Sequence, residues 1–413
     1  MKILFLSDNF PPEVNAPATR TYEHCREWVK LGARVTVITC FPNFPQGKIY
    51  NGYKNQWKKT EWIDGIKVIR VLTYISANEG FVRRTLDFIS FSVTAFFAGL
   101  FESTDVIVAT SPQFFTALAG RTLSFWKRKP WIMEVRDLWP ESIKTVGAMK
   151  DNLFIRYFEL EEQRCYRSAS GIIALTNSFK ENIVAKGISH EKIEVVKNGA
   201  NLDLYQPRAK NQEIVNALNL EGKIVLGYIG TFGMAHKLDF ILDCAKQLIH
   251  TNYHFLLMGD GAERKRLRAK TDAEKITNVT ILEAVAKTKV ADYLSVVDIS
   301  LINLRKSDLF KTVIPSKIFE SAAMQIPILM GVDGEARSII EEFGAGLFFE
   351  PESTEDFILK LEQITRKERY SKCREGGANL AKAYDRKQLA CTMLKFIIDS
   401  HNMVSGISSP TLY

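Results

Sequence analysis

Short runs of β-branched and other apolar residues alternate with segments of helical periodicity along almost the whole chain. This alternation predicts βαβ units, and runs without polar alternation predict parallel strands covered by helices on both faces. In the first half the predicted strands are Lys2–Ser7, Arg34–Cys40, Lys67–Leu72, Asp105–Thr110, Trp131–Arg136, Gly171–Thr176 and Lys192–Lys197. In the second half they are Lys223–Ile229, Tyr253–Met258, Val279–Leu282, Asp298–Ile302, Pro327–Met330 and Leu347–Phe349.

The segment Asn198–Gln212 has no periodicity and contains Gly, Pro and polar residues, which predicts a linker. We therefore predict an α/β protein with two doubly wound, Rossmann-like domains, over residues 1–205 and 206–385. Residues 386–413 are predicted to form a helix that packs back on the first domain and ends in a frayed tail. Ligands of such sheets bind beyond the carboxyl ends of the strands, so functional residues are expected in the loops there.

The composition is that of a soluble globular protein, with 46% hydrophobic and 25% charged residues. Most of the net charge of +8 lies in residues 1–205, which hold 27 basic and 21 acidic residues. This diffuse excess favours a phosphate-bearing or membrane-surface partner over DNA. The six cysteines have no paired spacing, which predicts neither a disulfide framework nor a zinc site and favours a reducing cytoplasm.

The turn after strand Lys223–Ile229 is a candidate site for a diphosphate. Two glycines allow backbone N–H groups to approach an anion, and the helix that follows adds the positive end of its dipole. An ordinary glycine-rich turn without a ligand is the alternative. The candidate donor-binding residues here are Gly230, Thr231, Gly233, His236 and Lys237.

Two further turns belong to the same predicted site. Gly259 lies in a Gly-x-Gly turn after strand Tyr253–Met258, where a tight turn without a ligand is the alternative. Pro315 and Ser316 suit a helix start, and Lys317 and Glu320 then lie on one helical face. An ammonium group beside a carboxylate can bind phosphate and ribose hydroxyls together, although a surface ion pair would have the same spacing.

These features resemble the second domain of glycosyltransferase family 4, and the resemblance spans nearly the whole chain. It implies a GT-B fold, with two domains facing a central cleft, and a retaining hexosyl or aminohexosyl transfer from a nucleotide sugar. In that family a Gly-Arg-Leu…Lys-Gly turn binds the diphosphate and a Glu-x7-Glu element binds sugar and ribose. Here Thr231 replaces the Arg, and His236-Lys237 replaces Lys-Gly; Glu320 matches the second Glu, and Thr312 occupies the first. Lys317 and the backbone of Gly230–Gly233 are therefore the expected diphosphate contacts.

Charged residues at the carboxyl end of strand Trp131–Arg136 are the candidates for acceptor binding. Buried charges need a partner or a ligand, so Arg136, Asp137 and Glu141 are expected to contact the acceptor, together with Asn15 of the first loop. Asp137 is also a candidate for steadying a proton. A purely structural Arg136–Asp137 network is the alternative.

A narrower resemblance rests on Ser111–Phe115, on the Arg-Asp-Leu-Trp-Pro-Glu stretch and on Pro315–Lys317. These segments are similar to sugar transferases of O-antigen and capsule clusters, including the WbuB-like L-fucosamine transferases. The resemblance implies transfer of L-FucNAc from a UDP-sugar to an undecaprenyl-diphosphate-linked acceptor.

The Phe-rich segment Phe81–Phe101 is a candidate for contact with the inner face of the cell membrane. It begins beside Arg83 and Arg84, and four aromatic residues between 50 and 62 are interleaved with lysines. Aromatic tips with basic neighbours suit an anionic lipid surface. Burial of the helix against the sheet is the alternative. Its apolar run is shorter than the roughly 20 residues that a spanning helix needs, and the apolar run at the N-terminus is too short for a signal peptide.

No Asp-x-Asp triplet occurs, so we expect a metal-independent reaction without a cofactor. Lys317 and fixed dipoles would stabilise the leaving nucleotide, and Asp137, Lys317 and Glu320 are the expected catalytic residues. A nucleotide-sugar epimerase of the same fold is the main alternative. A dinucleotide-binding oxidoreductase would need Gly-x-Gly-x-x-Gly after the first strand, which leads instead into Asp8–Pro12. The diffuse charge argues against a nucleic-acid-binding module.

Overall fold

The computed structural model describes residues 1–44, 47–76, 81–111, 113–141 and 153–406. They form two compact units, the first containing residues 1–197 and 386 onward, and the second residues 198–385. Pro112 of the Ser111–Phe115 motif and residues 407–413 of the predicted frayed tail lie outside the described residues.

The first domain is built on an eight-stranded sheet in the order β3-β4-β2-β1-β5-β6-β7-β8. All neighbouring strands pair in parallel except β3 and β4, which are antiparallel. The strands are β1 (Lys2–Leu6), β2 (Arg34–Cys40), β3 (Lys58–Ile63), β4 (Ile66–Val71), β5 (Val106–Thr110), β6 (Trp131–Val135), β7 (Gly171–Ala174) and β8 (Ile193–Val195).

Helices cover both faces of this sheet, and each face has its own apolar core. The helices described between the strands are α1 (Ala16–Lys30), α2 (Phe81–Leu100), α3 (Phe114–Lys127), α4 (Leu153–Ser168) and α5 (Asn177–Ala185). The strands β1, β5 and β6 are buried almost throughout, which explains their continuous apolar sequences.

The second domain contains a six-stranded sheet in the order β11-β10-β9-β12-β13-β14, all parallel. Its strands are β9 (Ile224–Ile229), β10 (Tyr253–Met258), β11 (Val279–Leu282), β12 (Ile299–Asn303), β13 (Ile328–Gly331) and β14 (Gly346–Phe348). Its described helices are α6 (Gln212–Ala217), α7 (Leu238–Gln247), α8 (Arg264–Ala273), α9 (Lys287–Leu294), α10 (Lys317–Ala323), α11 (Glu335–Phe343), α12 (Thr354–Ile364) and α13 (Lys367–Ala383).

The last described helix, α14 (Arg386–Ser405), belongs to the first domain, where it packs against α1. The indole nitrogen of Trp28 donates a 2.8 Å hydrogen bond to the Ala390 carbonyl, and Arg386 forms a 3.0 Å ion pair with Glu23. Both contacts are buried, so α14 completes the core on that face of the first sheet. None of the described helices is long and apolar enough to span a bilayer.

The structure differs from the sequence prediction at two points. The division between the units lies at 197/198 rather than 205/206, because Ala200 and Tyr205 pack into the core of the second domain. The strand β3 was missed, because its residues are alternately exposed and its sequence, KKTEWI, has few apolar positions. The predicted strands are all present, with ends within two residues of those expected.

Candidate active site

The predicted donor turn follows β9 at the point where the strand order of the second sheet reverses. β9 pairs with β10 on one side and with β12 on the other, and later strands are added beyond β12. Ligands of open α/β sheets bind at this kind of topological switch point, beyond the carboxyl ends of the strands. Gly230 and Thr231 therefore lie where a ligand of the second domain is expected.

The side chain of Lys317 lies directly against this turn. A Cβ atom on Gly230 would come within 2.3 Å of Lys317 Cε and 2.7 Å of Nζ. The Nζ atom lies 3.6 Å from the centre of the Tyr228 ring. The Tyr228 hydroxyl in turn donates a 2.7 Å hydrogen bond to the carbonyl of Thr231. Gly230, Thr231 and Lys317 are thus brought together, and the absence of a side chain at Gly230 leaves room for the end of the lysine side chain.

Burial is the main influence on the charge of Lys317. It lowers the pKa of the ammonium group to about 7, although the nearby Glu320 carboxylate acts in the opposite direction. The group is therefore close to half protonated at neutral pH. An anion bound beside it would favour the charged form, as expected for a residue that contacts a diphosphate.

Ser316 and Glu320 lie at the start of α10, next to Lys317. Ser316 precedes the helix, and its hydroxyl makes no capping hydrogen bond, so it can serve a ligand. Glu320 lies in the first turn. Together with Lys317, Ile229 and Ser300, it lines a small cavity at the end of β9.

His236 is also close to Lys317, but the structure changes its expected role. Burial, with a smaller contribution from Lys317, lowers the pKa of the imidazole to about 4. The ring is therefore neutral at pH 7 and does not add positive charge to the turn. The backbone carbonyl of His236 accepts a 2.9 Å hydrogen bond from Asn303, at the end of β12. This bond ties the donor turn to the neighbouring strand.

Lys237 and Gly233 lie in the same loop. Lys237 adopts a left-handed conformation directly before α7, and its Nζ lies 3.5 Å from Asp239. Since α7 has no side-chain cap, its first N–H groups are not used by a capping side chain. Gly233 precedes the short 3₁₀ turn that ends at His236.

Gly259 is explained by a close approach between two loops. A Cβ atom there would lie 1.7 Å from the carbonyl oxygen of Gly230. The amide of Gly230 donates a 2.9 Å hydrogen bond to the Met258 carbonyl, and that of Phe232 donates a 2.8 Å bond to the Asp260 carbonyl. Gly259 thus supports the donor turn through its backbone.

Arg305 is a second-domain residue that the sequence analysis missed. It follows β12, and its amide donates a 2.8 Å hydrogen bond to Ala235 in the donor turn. It lines an open pocket beyond β12 and β13 with Lys306 and Lys311, which are paired with Glu350 and Asp308. Its only signal in the sequence was a charge close after a predicted strand.

In the first domain, two nitrogen atoms of the Arg136 guanidinium, Nε and Nη1, are buried without a hydrogen-bond partner among the described residues. Burial lowers its pKa to about 10, so it remains charged at neutral pH. Asp137 follows it at the carboxyl end of β6 and is partly buried.

The two remaining predicted acceptor residues already have partners. Asn15 caps α1 by accepting a 2.9 Å hydrogen bond from the Ala18 amide, and it donates a 2.6 Å bond to Asn9. Glu141 is exposed and accepts a 3.2 Å hydrogen bond from Asn182, with Lys186 at 3.8 Å. The structure thus connects Asn15 to the loop after β1 and Glu141 to α5.

Asp8, at the carboxyl end of β1, is the main residue of the first domain that the sequence analysis missed. Its side chain is buried and accepts hydrogen bonds from Asn9 and Gln113. Burial and the nearby Glu13 carboxylate raise its pKa to about 7. Asp87 on α2 is also near, and burial raises its pKa to about 6.

Asp8 and its neighbours form a polar site in the first domain. Arg136 acts on Asp8 as an opposite charge, while the Oε1 atom of Gln113 is buried without a partner among the described residues. Buried polar atoms without partners are costly, and in native proteins such an atom often has a functional role or is satisfied by a bound water or ion. In the described part of the chain, no three His, Cys, Asp or Glu side chains are grouped as metal ligands.

The chain is similar to known proteins over nearly its full length. Residues 15–199 match the family described as "Glycosyl transferase 4-like domain", and residues 210–380 match "Glycosyl transferases group 1". The putative colanic acid biosynthesis glycosyl transferase WcaI of Escherichia coli is 22% identical over 375 residues, 88% of this chain and 92% of that protein.

Two solved structures share the fold. Sucrose-phosphate synthase from Thermosynechococcus elongatus aligns with a TM-score of 0.77 at 14% identity, over 98% of this chain and 99% of its own. Anabaena HepE, solved in complex with UDP and glucose, aligns with a TM-score of 0.71 at 15% identity, over 96% of this chain and 99% of its own. These likenesses confirm the predicted fold class, two Rossmann-like α/β domains of the GT-B type.

Proposed function

Because the chain belongs to the glycosyl transferases, with a 4-like domain followed by a group 1 domain, we propose that it transfers a sugar from a UDP-sugar to an undecaprenyl-diphosphate-linked acceptor. The process served would be O-antigen or capsular polysaccharide synthesis at the inner face of the cell membrane. The name of WcaI, which refers to colanic acid biosynthesis, and the UDP bound by HepE support this direction. Both matched families are glycosyl transferases, so they do not support the epimerase alternative.

The contact of Lys317 with the Gly230 turn is the observation that carries the proposal. A diphosphate beside Gly230 would meet the ammonium group, the turn's backbone and the N-terminus of α7 at the same place. Ser316 and Glu320 at the start of α10 are proposed to bind the phosphate and the ribose hydroxyls. Thr231, Gly233, His236 and Lys237 would complete the donor site, and Gly259 would support it.

The acceptor is proposed to bind the first domain through Arg136 and Asp137. The enclosed guanidinium offers two N–H groups to an acceptor phosphate, which Arg binds well because its donors form a planar fork. The Asp8 carboxyl group would accept a hydrogen bond from an acceptor hydroxyl. Asn15 would act indirectly, through Asn9, and Glu141 would contact the acceptor from the surface.

The proposed reaction retains the anomeric configuration and needs no metal ion. The acceptor oxygen forms its bond to the anomeric carbon on the face from which the nucleotide departs. The electron pair of the broken C–O bond passes to the diphosphate, which also receives the hydroxyl proton. Lys317 and the α7 N-terminus would stabilise the charge that develops there.

A panel of nucleotide sugars, including UDP-L-FucNAc, incubated with a short lipid-diphosphate GlcNAc acceptor would test the proposal. We expect one product whose mass increases by one sugar, with retained configuration in its NMR spectrum. Calorimetry with UDP should show binding in the presence of EDTA. Absence of UDP and GDP binding, or binding that requires magnesium or manganese, would contradict the proposed donor site.

A further inference from the structure

The outer face of α2 carries an apolar stripe that no described element covers. Leu86, Ile89, Val93 and Phe97 recur at helical spacing, and all four side chains are exposed. The opposite side of the helix, with Phe91, is buried in the core. One face of α2 is therefore buried against the sheet, and the other face is exposed and available for contact with a membrane or another partner.

The stripe ends in a group of strongly exposed aromatic residues. Phe101 is 84% exposed, and Phe125 and Trp126 at the end of α3 are 80% and 66% exposed. Lys127 joins the two helix ends, because its Nζ donates a 2.9 Å hydrogen bond to the Leu100 carbonyl. The aromatic residues from α2 and α3 therefore lie at one end of the helix pair.

The edge strand β3 contributes a further aromatic residue. Glu102 receives ion pairs from Lys67 at 2.6 Å and Lys58 at 3.4 Å, which brings the β3-β4 hairpin to the end of α2. Trp62 is opposite Lys67 in the register and, by strand alternation, shares a face with Lys58. Trp57, five positions from Trp62, belongs to the other face.

Basic side chains surround this apolar surface. Arg128 and Lys129 are exposed beside Trp126, and Arg83 and Arg84 are exposed at the other end of the stripe. Two acids lie in the described part of this region: Glu102 is neutralised by two lysines, and Asp87 on α2 is partly buried with Arg84 acting on it as an opposite charge. The described part of the surface therefore combines an apolar centre with a basic margin.

We infer that this surface, called the α2–α3 face and defined by Leu86, Ile89, Val93, Phe97, Phe101, Phe125, Trp126 and Trp62, docks on an anionic phospholipid bilayer. Aromatic and aliphatic side chains enter the headgroup region, and each nearby cation adds roughly fivefold in partition. A symmetric pair of chains would bring like charges together, which disfavours a second copy as the occupant. The inference deepens the proposed function, since it rests on a lipid-linked acceptor.

Sedimentation with vesicles of phosphatidylglycerol and phosphatidylcholine, without donor or acceptor, tests the inference. We expect binding by the wild type, weaker binding to pure phosphatidylcholine, and at least about tenfold weaker binding by the Phe101→Ser/Phe125→Ser/Trp126→Ser variant. The matched control is Trp57→Ser, which removes an aromatic ring of 65% exposure from the opposite face of the hairpin and should bind as the wild type does.

Two charge variants keep the test informative if the triple variant folds poorly. Arg128→Glu/Lys129→Glu and Arg83→Glu/Arg84→Glu should each weaken binding to the anionic vesicles by tenfold or more. Unchanged vesicle binding in these charge variants would overturn the inference, and so would an equal loss of binding in Trp57→Ser. A wild-type protein that is a dimer, and that the triple variant converts to a monomer, would also overturn it. Calorimetry of UDP binding reports separately on the proposed donor site. A failure of the membrane inference can therefore be distinguished from a failure of the proposed function.

Discussion

The Nζ atom of Lys317 lies 3.6 Å from the centre of the Tyr228 ring, and the same side chain fills the space above Gly230. The ring stabilises a cation there, but burial lowers the pKa of the ammonium group to about 7. A bound diphosphate would supply the negative charge that this environment lacks. Binding of an anion beside Lys317 is thus expected to be coupled to uptake of a proton.

The first prediction concerns the substitution Lys317→Gln. We expect it to weaken UDP binding by about tenfold to a hundredfold, because a charge-assisted hydrogen bond contributes about 1.5–3 kcal/mol. Calorimetry on both proteins measures the change. Lys372→Gln is the control, since Lys372 pairs with Glu368 on the surface of α13 and should leave binding unaffected. Equal affinities for Lys317→Gln and the wild type would remove Lys317 from the donor site.

The second prediction is proton uptake on UDP binding above pH 7. The pKa of Lys317 is about 7 in the free protein and should rise beside a diphosphate, so binding at pH 8 takes up nearly one proton. The affinity should fall by up to about tenfold per pH unit above pH 7, where the terminal phosphate is already ionised. Apparent binding enthalpies in phosphate and Tris buffers should differ by the difference in buffer ionisation enthalpy. Identical enthalpies would show that no proton is taken up.

The third prediction is that Gly259→Ala disrupts the donor turn. The new Cβ atom would lie 1.7 Å from the Gly230 carbonyl oxygen, so the two loops must separate. We expect a loss of about 1–3 kcal/mol in stability, as for overpacked positions, together with weaker UDP binding. Gly377→Ala is the control, because its Cβ would meet its nearest neighbour, the Ala322 carbonyl oxygen, at 3.4 Å. Thermal unfolding and calorimetry measure both effects, and a Gly259→Ala variant that matches the wild type in both would refute the explanation.

The fourth prediction is that Asp8→Asn stabilises the protein at high pH while reducing transfer. Burial raises the pKa of Asp8 to about 7, so the fold disfavours its charged form. The folded protein is therefore most stable, with respect to this group, when Asp8 is protonated. This contribution to the free energy of unfolding is lost as the pH rises from about 4, the pKa of Asp in the unfolded chain, through about 7, the pKa of Asp8 in the folded protein. Asn should therefore increase the free energy of unfolding by roughly 1–4 kcal/mol at pH 8 and by little below pH 4.

Urea unfolding at the two pH values measures the stability effect of Asp8→Asn. The steady-state KM for the acceptor should rise, whereas the Kd for UDP should not change. A variant that is no more stable at pH 8 than the wild type would contradict the assigned burial of the charge. An unchanged KM would remove Asp8 from the acceptor site.

The fifth prediction is that Glu320→Ala abolishes transfer and leaves the fold intact. Glu320 is partly exposed in the first turn of α10, so its removal creates no large cavity. The expected loss reflects the ribose contact and the removal of the carboxylate that favours the charged form of Lys317. Product mass after incubation with donor and acceptor, alongside a thermal unfolding curve, checks both parts. Normal turnover would exclude Glu320 from the donor site.

The candidate donor residues could be selected from the sequence because their signals are local. The Gly230 turn follows a strand, and the pair Lys317 and Glu320 begins a helix, so both could be recognised from a few neighbouring positions. Their proximity was expected from the family resemblance rather than from these local signals, since it depends on the adjacency of β9 and β12 in the sheet. The neutral state of His236 was missed for the same reason, because desolvation follows from packing rather than from residue type.

The sequence by itself determined the two α/β domains, every strand except β3 to within two residues, and the turns that carry the donor candidates. Hydrophobic periodicity and turn chemistry act between residues close in the chain, so they can be read without coordinates. Only the tertiary structure decided the burial of Asp8, the two buried Arg136 nitrogens without hydrogen-bond partners, the place of Lys317 above Gly230, and the exposed side of α2. Each of these depends on residues far apart in sequence, because burial and charge act through space.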